Sequence, residues 1–105
     1  MSDAGPPQAA VPPHKRREVR DLEICNRKGL HARASARFVQ CADRFNAAIS
    51  VSKDGQSVSG SSIMGLMMLA ASIGSVITVT AEGIEAAEAI TAISDLVNGR
   101  FGEDE

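Results

Sequence analysis

The sequence predicts an α+β layer fold, one antiparallel sheet covered on one face by helices, in the order β-α-β-β-α-β-α. Three observations carry the prediction. Short stretches alternate apolar with polar residues, as half-buried strands do, and longer stretches repeat apolar residues at helical spacing. Asp54-Gly55 stands between two alternating stretches, where a type I′ hairpin turn needs positive φ at both central residues. A chain of 105 residues has room for one domain and a tail, since a typical domain takes about 100–150. With no Trp, no Tyr and three Phe, its core is expected to be aliphatic.

Residues 1–17 hold all four prolines and no apolar periodicity, and read as a disordered N-terminal extension that includes His14 and the basic run Lys15-Arg16-Arg17. The folded domain is expected over residues 18–99. Leu22 and Ile24 alternate with charged residues in a first strand, which Gly29 interrupts. A helix follows from Ala32 to about Arg44, with Ala34, Phe38, Cys41 and Phe45 on one core-facing stripe. The neighbouring stripe, Arg33, Arg37, Gln40 and Arg44, is polar and mostly basic. Ile49 and Val51 mark the second strand, and Val58 a short third one across the hairpin. Ser61 and Ser62 are N-cap residues ahead of "IMGLMMLAAS", a short helix apolar nearly all round, which Gly74 is expected to end. Leu66 and Leu69 read as core, whereas Ile63, Met64 and Met67 read as its exposed edge. "VITVT" at 76–80 is the fourth strand. The last helix, about Glu85–Asn98, stripes Ala86, Ile90, Ile93 and Val97, and Gly99 fits its C′ position. Residues 100–105 read as an acidic C-terminal tail, with the closing "GEDE" as a frayed end.

Composition narrows the function. No apolar run approaches the roughly 20 residues of a membrane span, and no signal-peptide pattern opens the chain, so a cytoplasmic location is expected. Cys25 and Cys41 are too far apart for a CxxC site and read as small apolar residues, with a regulatory disulfide as the alternative. The formal charge is −2, yet between Cys25 and Phe45 lie Arg27, Lys28, Arg33, Arg37 and Arg44 against the single acid Asp43. Overall acidity argues against a general nucleic-acid binder, and no strand carries the aromatics that stack bases. The local basic zone suits an anionic substrate or an acidic partner, unless it is simply a solvated helix face.

In the middle of that zone stands "GLHARAS". His31 falls at the N-terminal boundary of the first helix, where the leading N–H groups lack intrahelical acceptors and the helix dipole adds about half a positive charge. Arg33 adds a full one. Such a place cradles phosphate, and an imidazole there is a nucleophile in a phosphate site. The residues alone leave other roles open, since a helix-start or packing histidine is common. A metal site is not expected, because His14 is the only other histidine. A serine hydrolase is disfavoured because no GxSxG elbow is present.

"GLHARAS" resembles the active-site signature of the HPr phosphocarrier family of the bacterial phosphoenolpyruvate-dependent phosphotransferase system, which includes NPr-type carriers. "SSIMGLMML" is similar to that family's second signature, and "VITVTAEG" to its fourth strand and the following turn, so the likeness covers about residues 18–98. The resemblance implies an open-faced β-sandwich, with a four-stranded antiparallel sheet and three helices on one face. It implies a carrier rather than a free-standing enzyme, without cofactor or metal, and monomeric. His31 would be phosphorylated on Nδ1 by phospho-enzyme I and would pass the group to a IIA-type protein, with Arg33 and the Ala32 amide helping to hold it. Ser62 matches the serine modified by HPr kinase/phosphorylase, and Ile63, Met64 and Met67, with Arg37, would form the surface that partners grip. Many members carry proline where this chain has Ala34, so the site is expected to be tuned differently. The alternative is a regulatory adaptor of a nitrogen-type phosphorelay, acting mainly through partner binding and without sugar transport.

Overall fold

The computed structural model describes residues 12–105. Its elements are β1 (Arg17–Glu23), α1 (Ala32–Ala42), β2 (Ala48–Lys53), β3 (Gln56–Ser59), α2 (Ile63–Met68), β4 (Val76–Glu82) and α3 (Ala86–Asn98). The strands form one sheet in the order β1-β4-β2-β3, with every neighbouring pair antiparallel. This is the βαββαβα open-faced sandwich that the sequence predicts.

Alternation decides which face is covered. Along β4, Ile77, Val79 and Ala81 are buried while Val76 and Glu82 are exposed, as expected for a sheet wet on one side. Leu22, Ile49 and Val51 join them from the neighbouring strands. Onto this face α1 brings Ala34, Phe38 and Cys41, α2 brings Leu66, and α3 brings Ala86, Ile90, Ile93 and Val97. Phe38 is wholly buried and is the largest side chain that α1 contributes. α3 lies against β1 and β4, and α1 touches both other helices. The hairpin turns at Asp54 (φ 51°) and Gly55 (φ 81°), both left-handed as a type I′ turn requires. Cys25 and Cys41 are free thiols. Cys41 is buried, which pushes its thiol up against the opposing pull of Arg44, and Cys25 is half-buried with its Sγ–H donating to the Val97 carbonyl at 3.2 Å.

The boundaries differ from expectation in four places. Residues 1–11 of the expected N-terminal extension lie outside the described residues, but 13–17 fold. Pro13–Lys15 make a 3-10 turn with proline in its first position, and Arg17 pairs with Glu82 as the first residue of β1. Proline pre-sets φ for such a turn, and the strand recruits the residue behind it. α2 stops at Met68 instead of running on toward Gly74, because Ala70 turns left-handed (φ 52°) and Ala71 is drawn into the core. Gly99 closes α3 without left-handed φ (−85°), and Arg100 and Phe101 take that conformation instead. The C-terminal residues 100–105 are not a frayed tail. Phe101 is fully buried, and a side chain that large pulls its neighbours back onto the domain.

Candidate functional site

His31 is placed by the short loop that joins β1 to α1. Gly29 is left-handed (φ +66°), and a Cβ there would run into the Ala71 carbonyl oxygen and lie 2.9 Å from Ser72 Cα. Only glycine allows that approach, which brings the Leu30 N–H onto the Ala71 carbonyl at 2.9 Å. The next residue, His31, is extended (φ −71°, ψ −179°) and is the N-cap of α1. Its carbonyl accepts the first intrahelical bond, from Ser35 N–H at 2.8 Å, while its side chain makes no capping bond. The imidazole is therefore not spent on capping. The amides of Ala32, Arg33 and Ala34 all precede that first bond and face the helix mouth. Underneath, the buried Ser35 hydroxyl donates to the Leu30 carbonyl at 3.1 Å and ties the loop to the first turn.

The opposite wall of the site comes from the other end of the chain. Nε2 of His31 lies 2.5 Å from Oε2 of Glu103. The second oxygen, Oε1, accepts from Asn26 Nδ2 at 3.0 Å, and the same Nδ2 donates to the Gly29 carbonyl at 2.9 Å. The histidine side chain is 27% exposed and that of Glu103 13%. Burial raises the Glu103 carboxyl, but the hydrogen bonds from Asn26 and His31 and the positive charges of His31 and Lys28 outweigh it, and the net shift is downward. Arg37 sends its guanidinium to the Phe101 carbonyl, and Arg27 pairs with Glu105 both through side chains, at 2.8 Å, and from its own N–H to the Glu105 main-chain oxygen, at 2.9 Å. Between the walls lies a cleft of about 420 Å³, with Arg27, Lys28, His31, Arg33 and Arg37 on one side and Gly102–Glu105 on the other.

The structure thus gathers His31, Arg33 and Arg37 at one cleft, with Ala32 next to His31 as the first residue of α1. Arg33 is exposed and has no hydrogen-bond or ion-pair partner among the described residues. Arg37, expected on a partner-binding surface, is half-buried and engaged with the C-terminal turn. Ser62 stands apart at the head of α2, where its Oγ accepts from Gly65 N–H at 2.9 Å. It borders an exposed apolar patch of Ile63, Met64 and Met67, to which the structure adds Met68. Leu66 and Leu69 are buried, as expected. Among the described residues no group of three metal-ligating side chains forms, and no helix is long and apolar enough to cross a membrane.

Glu103, Asn26 and Phe101 were not among the sequence-derived site residues. The one signal for them is a lone phenylalanine two residues beyond a helix-ending glycine, which marks an anchor more than a frayed end.

Comparison with known proteins places this arrangement. Residues 19–99 match the family model described as the phosphotransferase-system HPr component phosphorylation site. The phosphocarrier protein HPr of Neisseria meningitidis is 52% identical over 84 residues, covering 80% of this chain and 94% of that protein. The phosphocarrier protein HPr of Cupriavidus necator is 48% identical over 86 residues, covering 82% and 97%. A crystal structure of HPr from Thermoanaerobacter tengcongensis superposes with a TM-score of 0.80 at 45% identity, over 84% of this chain and 99% of that one.

Proposed function

The chain belongs to the HPr family of phosphotransferase-system phosphocarriers, and on that premise we propose that His31 is the residue on which the phosphoryl group travels. Phospho-enzyme I is the donor and a IIA-type protein the acceptor. The observation that carries the reading is the position of the imidazole: it stands at the mouth of α1, free of any capping duty, beside the leading amides and Arg33. Phosphoryl transfer asks a protein for positioning and charge stabilisation above all. As the Nδ1 lone pair forms its bond to phosphorus, the bond from phosphorus to the donor breaks and its electron pair returns to the donor. The three phosphoryl oxygens then face the Ala32 and Arg33 amides and the Arg33 guanidinium, which hold the group without enclosing it. An open site suits a carrier, because the same group must be handed on by the reverse chemistry. With Ala34 in place of proline, the first turn retains one further N–H donor.

Incubation with enzyme I and phosphoenolpyruvate tests the reading. Wild-type protein is expected to gain one acid-labile phosphoryl mass, and His31→Ala to gain none. Equal uptake by the variant sinks the proposal.

Ser62 is proposed as a regulatory phosphorylation site for HPr kinase/phosphorylase. Its support is its place beside the exposed Ile63–Met68 patch, the surface proposed here to grip both donor and acceptor. Flexible methionines adapt to more than one partner, and a phosphate at that edge would set negative charge against acidic partner surfaces.

A further inference from the structure

We propose that Glu103 is a positioning residue for the phosphoryl-accepting histidine: its carboxylate, braced by Asn26, holds Nε2–H of His31 and turns Nδ1 into the nitrogen that meets phosphorus. The inference rests on the reading of His31 as acceptor and adds to it a residue from the opposite end of the chain.

Three observations carry it. The first is the contact itself, Nε2 to Oε2 at 2.5 Å, with both side chains mostly withdrawn from water. A carboxylate accepts only, so the proton of this bond sits on Nε2, and in neutral imidazole the lone pair then belongs to Nδ1. The second is the bracing. Asn26 is fully buried, and its Nδ2 divides its two donors between Gly29 and Glu103, while its Oδ1 is buried without a partner. Rotating the amide by half a turn would set Oδ1 against two acceptors, so the orientation is dictated by Glu103 and Gly29. The unpaired oxygen is a local cost borne where the histidine loop and Glu103 meet. The third is the anchoring of the segment. Phe101 is fully buried, its carbonyl takes the Arg37 guanidinium, and Glu103 N–H bonds the Arg100 carbonyl at 2.9 Å. Glu103 is thereby held on a fixed turn instead of a loose end.

The chemistry follows from where charge moves. When Nδ1 bonds to phosphorus, the imidazole ring becomes positive while the Nε2 proton stays in place. A carboxylate already seated on that proton offsets the developing charge without reorganising. When the phosphoryl group leaves for its acceptor, the N–P electron pair returns to Nδ1 and the ring is neutral again, still held in the same tautomer. The logic is that of a base oriented by a third group.

The test uses the full chain with Glu103→Ala and Glu103→Gln. Glutamine keeps the volume and an acceptor oxygen but removes the charge, and amide spectra of the core report whether each variant is folded. Initial rates of phosphoryl uptake from enzyme I and phosphoenolpyruvate are expected to fall about ten- to a hundredfold in Glu103→Ala. Glu103→Gln should lie between it and wild type, with the KM for enzyme I unchanged in both. The ring-nitrogen signals of His31 in unphosphorylated protein should move in both variants, a change that lost packing alone would not produce in the isosteric one. Wild-type rates in both variants, or unmoved His31 nitrogen signals, would overturn the assignment. A wild-type chain that takes up no phosphate overturns instead the acceptor reading, and this inference with it.

Discussion

Glu103 is the residue whose ionisation reports on the site. Its carboxyl is held below the ordinary range of about 4.3 by its hydrogen bonds to Asn26 and His31 and by the nearby positive charges. A depressed folded-state value means that the carboxylate contributes stability above its unfolded pKa and loses it as pH falls through the lower folded one. Relative to Glu103→Gln, wild-type protein should therefore be more stable from neutral pH down to about 4.3, and the gap should close below that. Denaturant unfolding of both proteins between neutral and strongly acid pH measures it, and a gap independent of pH would show that the charge of Glu103 does nothing for the fold. Legibility also divides at this scale. His31, Ala32 and Arg33 sit within three consecutive positions, so a short motif finds them. Glu103 lies 72 residues from His31, in a run of acids that has no period and whose meaning depends on where Phe101 buries.

Elements were legible where local chemistry alone decides them. Asp54-Gly55 dictates its turn through backbone sterics, and the apolar stripes of α1 and α3 are long enough to set period and face. α2 was legible only at its start. Ser62 caps it as its residue type predicts, whereas the apolar run through Ala71 looks helical and is cut short because Leu69 and Ala71 are needed in the core. With six residues, such a helix owes little to propensity and much to its cap and to Leu66. Ser62→Ala removes the bond to Gly65 N–H and should cost about 1 kcal/mol in denaturant unfolding. The same variant should take no phosphate from HPr kinase and ATP, while uptake at His31 from enzyme I stays at wild-type rate. Kinase-dependent labelling that persists in Ser62→Ala would move the regulatory role to another serine.

At the scale of the whole molecule, an open sheet leaves two edges that could pair with another copy, and each is defended differently. β1 is an edge strand with five charged residues, Arg17, Glu18, Arg20, Asp21 and Glu23, of both signs and mostly exposed. Charged edges resist pairing, because each added strand would have to desolvate them. β3, on the other side, has only four residues, too short a ladder to hold a second chain. Apart from the scattered Val19, Ile73, Val76 and Ile84, the exposed large apolar side chains among the described residues are those of the α2 patch. A stable dimer buries about 1,200–2,000 Å², more than one face of a six-residue helix offers. The chain is therefore expected to be monomeric, with the α2 patch left open for successive partners, as a carrier requires. Light scattering across a wide concentration range should return the chain mass of 11.0 kDa throughout. A mass rising toward twice that value would mean that one edge or the α2 patch pairs with a copy of itself. Replacing Met64 with a charged residue would then tell which, since only a dimer built on α2 would dissociate.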